Sequence, residues 1–404
     1  MLDNIPLTWL QKYLSDSSVA QVIMGQSPDS STYNEEREGF PFYQGKTDFG
    51  KISPTPRIWC SKPVKIAEAN DVLLSVRAPV GAVNMCTEKS CIGRGLCAIR
   101  AKEIVLPKFL YYFFVFYEPI LKTQGSGAVF DAITKAYVDK IKVPIPPTLA
   151  EQQEIVHVLD TMSDIIRLRE ECISQAQDLI PALFQEMFGD IHNNKTNSQI
   201  VKLGDVADFI RGPFGGSLKK EIFVNEGYLV YEQYHAINND FNFARYFIDE
   251  QKYKEMQRFS VKAGDLLISC SGTMGKIAIV PDNYKKGIIN QALLKLTVNT
   301  EYLNNIFLKN LLLTDYYQKN YFKDQPGAAI QNVRSVKVLK NIDIILPSLS
   351  LQKQFVQKAI EIESYIEEQQ EELENAKQMF QSLLHHAFTG ELTCKKYGGS
   401  NGTE

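Results

Sequence analysis

The segment Gly39-Phe-Pro-Phe-Tyr-Gln-Gly45-Lys46-Thr47 holds the glycines, lysine and hydroxyl with which a nucleotide-binding loop cradles phosphates. Its spacing does not suit that chemistry. One residue too many separates the glycines, and Pro41 removes a backbone donor. A second glycine cluster, Gln124-Gly-Ser-Gly127-Ala-Val-Phe130, has the look of a cofactor turn for S-adenosylmethionine. It has no acidic strand end before it, and the chain contains no Asn-Pro-Pro-aromatic or Asp-Pro-Pro-aromatic tetrapeptide to hold a target base. Its counterpart Pro326-Gly-Ala-Ala329 lacks the pattern, so a structural turn is expected. The five histidines, at 157, 192, 235, 385 and 386, have neither zinc-ligand nor triad spacing. Cys86, Cys91 and Cys97 lack both the Cys-x-x-Cys interval and a histidine partner. No catalytic residue, no metal site and no cofactor of its own are therefore expected in this chain.

The elements around these residues carry more information. A chain of 404 residues suggests two or three domains, and 44% hydrophobic with 23% charged residues is globular composition. The start lacks a basic region followed by an apolar run, and Phe109 to Tyr117 is too short to span a bilayer. A soluble, cytoplasmic protein with no membrane partner and reduced thiols is expected. The net charge of −3 hides a segregation: 147–191 carries −7, 347–392 carries −5, and the remainder carries +9. Two acidic segments thus alternate with two basic bodies, and basic bodies suit a polyanionic partner.

The acidic segments repeat. A shift of 200 residues aligns Pro147-Thr-Leu-Ala-Glu-Gln152 with Pro347-Ser-Leu-Ser-Leu-Gln352, and the match runs without a gap to Phe188 and Phe388. Gln152, Ile155, Leu159, Met162, Ile166, Arg169, Ile173, Ala176, Ile180, Leu183 and Met187 follow one another in alternating steps of three and four, a coiled-coil seam. Gln352, Phe355, Ala359, Ile362, Ile366, Gln369, Leu373, Ala376, Phe380, Leu383 and Ala387 repeat it. Pro181 should bend or loosen the end of the first helix. The polar seam residues Arg169 and Gln369 either fix register or snorkel out of the seam. The first helix delivers the chain to the second basic body and the second starts there, so a packed pair must be antiparallel.

The basic bodies repeat more loosely. Each opens on a strand and glycine turn, Val22 to Gly25 or Phe209 to Gly212. Each continues through a strand and glycine loop, Asp71 to Gly81 or Asp265 to Gly275, and a second strand, Ile92–Ile99 or Ile289–Leu296. Short helices near Leu106–Phe116 and Tyr302–Leu312 follow, then closing strands near Lys140–Ile145 and Lys340–Leu346. The expected fold is α+β: two globular domains joined by two long antiparallel coiled-coil helices in a pseudo-twofold internal repeat. The boundaries are 1–146 for the first domain, 147–191 for the central helix, 199–345 for the second domain, 346–392 for the C-terminal helix and 393–404 for the tail. His192 to Gln199 is a polar linker.

This arrangement resembles the specificity subunit of type I restriction–modification enzymes. The resemblance rests on Val143-Pro-Ile-Pro-Pro-Thr-Leu-Ala-Glu-Gln-Gln153, Asp265-Leu-Leu-Ile-Ser-Cys-Ser-Gly-Thr-Met-Gly275 and Phe388-Thr-Gly-Glu-Leu392, and it covers nearly the whole chain. The second helix entry, Ser350-Leu-Gln-Lys-Gln354, departs from the Glu-Gln-Gln pattern. The resemblance implies a non-catalytic reader of double-stranded DNA, each globular body being a target recognition domain for one half of a split site. It further implies that the helices set the spacer and dock two modification subunits, which bind S-adenosylmethionine and methylate adenine. Restriction subunits using ATP and Mg would complete the assembly.

Base edges are read by Arg, Lys, Asn and Gln, and the loops offer Arg77, Arg94, Arg211, Lys276, Asn290, Gln291, Gln331 and Asn332. Phosphate contacts fall to Lys46, Lys219, Lys220 and Lys276. Two other classes remain open on the residues alone: a protein-binding scaffold with a coiled-coil core, and a DNA methyltransferase or nuclease of unrecognised type.

Overall fold

A computed structural model describes residues 5–124, 132–214, 216–322 and 333–394. The chain divides into two compact units, residues 1–170 with 371–404, and residues 171–370. Each unit therefore holds one globular body together with a portion of each long helix, Leu149–Phe188 and Leu349–Thr389.

The first unit centres on an antiparallel sheet in the order Ala20–Met24, Leu96–Ala101, Val72–Ser75, Val83–Met85. The central strands are apolar and fully buried over Val72–Leu74 and Leu96–Ile99, which fixes their place in the core. Beside this sheet, Phe40–Tyr43 pairs in parallel with Ser90–Ile92. Leu10–Tyr13 pairs with Lys142–Ile145, so the first and last strands of the body lie side by side. The second unit repeats the order: Ala207–Arg211, Leu293–Val298, Leu266–Ser269, Ile277–Ile279. Its parallel pair is Tyr228–Tyr231 with Gly287–Ile289, and its closing pair is Gln199–Lys202 with Asp343–Leu346. The opening strands Leu10–Tyr13 and Gln199–Lys202 go beyond the sequence-based expectation.

Within the first unit, helix Pro107–Gln124 lays Phe109, Phe113 and Phe116 around Phe388, with ring centroids 5.2, 5.7 and 5.3 Å away. Ile155, Leu159, Leu384 and Ala387 complete that core. Within the second unit, Phe307 of helix Asn305–Leu313 packs on Phe184 and Phe188 at 5.4 and 5.0 Å, with Phe355 and Ala359 beside it. The same places are filled by residues 200 apart: 155 and 355, 159 and 359, 184 and 384, 188 and 388. In each unit a rising number on one long helix meets a falling number on the other, so the packing is antiparallel. The Pro107–Gln124 helix extends a further two turns beyond its expected end.

Along the first long helix, Ile155, Leu159, Met162, Ile173, Ala176 and Ile180 are buried, while Ile166 and Arg169 are half-buried. Beyond Ile180 the buried row is Phe184 and Phe188 rather than Leu183 and Met187, because the short helix of the globular body draws the large rings inward. On the second long helix Phe355, Ile366 and Leu373 are buried, and Ile362, Gln369 and Phe380 are half-buried. Arg169 pairs with Glu372 across the helices, but both are partly exposed, so the pair contributes little stability. The helix is continuous through Pro181, against the expected loosening; the proline is exposed, so the carbonyl it leaves unpaired faces water. Gly189, at φ 70°, and Gly390, at φ 80°, follow the two helix ends in the left-handed region that favours glycine.

Gln152 and Gln352, placed in the seam by their spacing, do something else. Gln152 is buried; its Oε1 accepts from Leu106 N–H at 2.8 Å and its Nε2 donates to the Ile104 carbonyl at 2.8 Å. Gln352 Oε1 accepts from Asn304 N–H at 2.8 Å, and its Nε2 donates to the carbonyls of Tyr302 at 3.0 Å and Pro347 at 2.8 Å. Thr148 and Ser348 cap the helix starts one turn earlier, accepting from Glu151 N–H and Leu351 N–H. Among the described residues, no helix is long and apolar enough to cross a membrane.

Gln152→Glu keeps an acceptor for Leu106 but loses the donor to Ile104 and buries a charge. It should lower the unfolding free energy by about 2 kcal/mol and speed amide exchange at Leu106. Urea titration with hydrogen exchange checks this; unchanged exchange at Leu106 would leave packing alone as the anchor.

Candidate nucleic-acid interface

Three of the cations selected from sequence meet in one cleft of the first unit. Lys46, Arg77 and Arg94, with Ser27, Gln44 and Thr47, line a concave space of about 310 Å³. Lys46 stands on the single turn Lys46–Asp48, which follows strand Phe40–Tyr43. Arg77 follows strand Val72–Ser75, and Arg94 lies in the turn before Leu96–Ala101. All three side chains are exposed, and among the described residues lining the cleft none is acidic. The result is a pocket of hydrogen-bond donors with positive potential, suited to phosphate or to a base edge that presents acceptors.

Buried groups hold these loops. Asp48 lies under the Lys46 turn and accepts from Gln44 N–H at 2.7 Å, from Gly45 N–H at 3.3 Å and from Arg57 Nε at 3.2 Å. Ser75 is buried and its hydroxyl is shared between the carbonyls of Arg77 at 3.1 Å and Pro79 at 3.0 Å, which folds the Arg77 loop back on its strand. Gly95 lets the loops touch: a Cβ there would stand 2.3 Å from the Gln44 carbonyl oxygen. Below the strand, Asp71 takes a two-pronged bond from Arg100, Nε at 2.9 Å and Nη2 at 2.8 Å.

The second unit builds the same frame with other side chains. Asn290 and Gln291 occupy the turn before Leu293–Val298. Asn290 Oδ1 accepts from Ala292 N–H at 3.0 Å, so this side chain shapes the turn, while Gln291 is exposed. Ser269 repeats Ser75: its hydroxyl donates to the Thr273 carbonyl at 2.7 Å and accepts from Lys276 N–H at 3.0 Å. The Lys276 side chain is exposed. Arg211 faces the Cys270 thiol, which burial pushes up to about 11 against the opposing pull of that guanidinium. Lys219 and Lys220 are exposed on a separate turn, Lys220–Ile222. Gln331 and Asn332 lie outside the described residues.

Several residues of this frame were not singled out from sequence. His235 is fully buried and does for the Glu232 N–H what Asp48 does for the Gln44 N–H. Its Nδ1 accepts from Glu232 N–H at 3.0 Å, which leaves the proton on Nε2 to bond the Phe243 carbonyl at 3.0 Å. Ser271 donates to Gln233 Oε1 at 3.3 Å. Burial raises the Glu232 carboxyl, with Arg245 and His235 pulling the other way. The available signal was the alignment of Phe40-Pro-Phe-Tyr-Gln-Gly45 with Tyr228-Leu-Val-Tyr-Glu-Gln233, which marks the turn after the parallel strand in both bodies.

Thiol chemistry has no support in this frame. Burial pushes Cys97 up to about 12 and raises Cys86, so neither holds a thiolate at neutral pH. Among the described residues, no group of three or more His, Cys, Asp or Glu is disposed to hold a metal ion.

The fold and its repeated strand order define a duplicated architecture, and comparison with known proteins identifies it as one of DNA specificity. The model of the type I restriction modification DNA specificity domain matches residues 8–177 and 195–375. The chain belongs to this family. It is similar to the type I restriction enzyme MjaVIII specificity subunit of Methanocaldococcus jannaschii, at 24% identity over 97% of this chain and 95% of the relative. It is also 44% identical to the putative MjaX specificity subunit of the same organism, over 42% of this chain and 40% of that relative. The EcoBI specificity subunit of Escherichia coli matches at 23% identity over 96% of this chain and 87% of the relative. Among solved structures, a chain from work on complex assembly and conformational transition of the type I R-M system shares the fold. It has a TM-score of 0.65 and 18% identity, over 95% of this chain and 98% of that one. The S subunit from M. genitalium shares it at a TM-score of 0.55 and 16% identity, over 96% and 97%.

Alanine at Arg77 or Arg94 should leave thermal stability within about 0.5 kcal/mol of the parent, because both side chains are exposed. Asp48→Ala should cost about 2 kcal/mol, because two amides and Arg57 lose a buried partner. Differential scanning fluorimetry of the three variants side by side separates the cleft's surface from its support.

Proposed function

We propose that this chain is the non-catalytic DNA-reading subunit of a type I restriction–modification assembly, each globular body reading one half of a split site. The observation that carries this is the duplicated strand order, with a cation-lined loop cleft in the first body. Lys46, Lys219, Lys220 and Lys276 are the phosphate contacts; Arg77, Arg94, Arg211, Asn290, Gln291, Gln331 and Asn332 are candidates for the bases. The long helices, each shared between the two units, set the spacer. They dock two modification subunits, which bring S-adenosylmethionine, and restriction subunits bring ATP and Mg. The seam residues Ile155, Leu159, Met162, Ile166, Arg169, Ile173, Phe355, Ile362, Ile366, Gln369, Leu373 and Phe380 act here as scaffold rather than as contacts to DNA. The acidic exterior of these helices repels phosphates, which leaves the intervening bases unread.

Exchanging residues 1–146 for the first domain of a relative tests the division. Each body is closed by its own pair of first and last strands, so the exchange should change one half of the methylated site and leave the other. Mapping methylated adenines in cells that carry the chimera and its modification subunit gives the answer; a change in both halves would sink independent reading.

Four residues inserted into the first long helix should lengthen it by about 6 Å. At about 3.4 Å per base pair, the spacer should grow by one to two base pairs, with both half-sites unchanged. Four residues enter a coiled coil as a stutter, so this variant should tolerate the insertion better than one of two or five. An active variant with its old spacer would reduce the helices to a docking platform.

A further inference from the structure

The loops that line the first body's cleft have counterparts at the same places in the second body, and the side chains there offer different hydrogen-bond chemistry. Strand register makes the correspondence definite. Tyr43 pairs with Ile92 as Tyr231 pairs with Ile289, and Ser75 pairs with Leu96 as Ser269 pairs with Leu293. Counting on from these anchors, Gly45 corresponds to Gln233, Arg77 to Ser271 and Arg94 to Gln291. Two guanidiniums of the first body are thus replaced by a hydroxyl and an amide in the second.

Resting on the DNA-reading role proposed above, we infer that the two bodies divide base recognition by chemistry: the first reads guanine through Arg77 and Arg94, and the second reads adenine through Gln233 and Gln291. Arginine has donors only, and guanine presents two acceptors, O6 and N7, on its major-groove edge. Adenine presents one acceptor and one amino donor, which a carboxamide meets with its own donor and acceptor. The second body prepares such an amide. The Ser271 hydroxyl donates to Gln233 Oε1 at 3.3 Å, which sets the oxygen toward Ser271. The amino group then lies over Gly272, whose Cβ, were there one, would stand 4.0 Å from Nε2. Oε1 keeps a lone pair for the adenine amino group, and Nε2 keeps a hydrogen for N7. The cations of this body do not stand at the positions of Arg77 and Arg94: Arg211 faces Cys270, Arg245 acts on Glu232, and Lys276 lies past Gly275 at the far end of the turn.

The test uses the chain in complex with its modification subunits and a library of random duplexes, scored by methylated adenine. The parent complex should give a split site with a guanine in one half and, in the other, an adenine besides the methylated one. Arg94→Ala should reduce discrimination at that guanine ten- to a hundredfold and leave the other half unchanged. Gln233→Ala should do the same at the adenine. Duplexes carrying 7-deazaguanine remove the N7 acceptor; they should weaken the parent complex and have little further effect on the Arg94→Ala complex. Unfolding midpoints of the variants control for lost structure. If Arg94→Ala weakens all sequences alike while the salt slope falls by about one, the residue touches phosphate and the inference is wrong. Relaxation at a base other than guanine or adenine also overturns it. A parent complex that methylates no split site overturns the DNA-reading role itself, a result distinct from either of these.

Discussion

Gln152 and Gln352 sit buried at the first turns of the two long helices, and each amide spends both its donor and its acceptor on the backbone of the loop that enters the neighbouring short helix. A buried amide is tolerated only when fully bonded, and here the partners lie 46 and 48 residues upstream. The long helix therefore starts at one angle and depth relative to the globular body. The phenylalanine cluster follows from that placement: Phe388 can be surrounded by Phe109, Phe113 and Phe116 only if the helix bearing them is held by its entry loop. The closing strand pair and the central sheet then complete the body around that helix. The second unit repeats the arrangement with Phe184, Phe188, Phe307 and Phe355.

The scaffold also separates what must stay constant from what can vary. Buried polar groups hold the loops: Asp48 or His235 beneath one turn, Ser75 or Ser269 beneath another. A carboxylate and an imidazole perform the same task, because each accepts a backbone N–H at the start of the turn. The exposed positions above them are free of that duty. Arginine can stand at 77 and 94 where the second body has serine and glutamine, without disturbing the strands below. This is how one fold supports two surfaces of different chemistry.

Much of this architecture was legible in the sequence. The duplicated helices were visible because their match is ungapped and their apolar spacing is regular. Gln152 and Gln352 shared that spacing, but periodicity cannot tell a seam residue from an amide whose partners are far away in the chain. The strands Leu10–Tyr13 and Gln199–Lys202 were missed because their residues are largely exposed and their partners lie more than a hundred residues downstream. Phe184 and Phe188 displaced Leu183 and Met187 from the buried row because the globular body, not the helix pair, decides which face is covered there. Arg77 and Arg94 stood out as cations in glycine-bearing loops. Gln233 and Ser271 did not, since only strand register places Ser271 where Arg77 stands and Gln233 where Gly45 stands.

The closing strand pair has a mechanical consequence. In the second unit the chain enters through Gln199 and leaves through Leu346, and these two residues are paired at the same end of the ribbon. Tension applied between the last turn of one long helix and the first turn of the other would load that ribbon one hydrogen bond at a time, in peeling rather than shear. A ribbon peeled in this way resists weakly. What carries such a load instead is the side-to-side grip of Phe184 and Phe188 on Phe355, with ring centroids 5.3 and 5.6 Å apart. While that grip holds, strain passing along the helices bypasses the sheet, and the loops the sheet carries keep their shape under it.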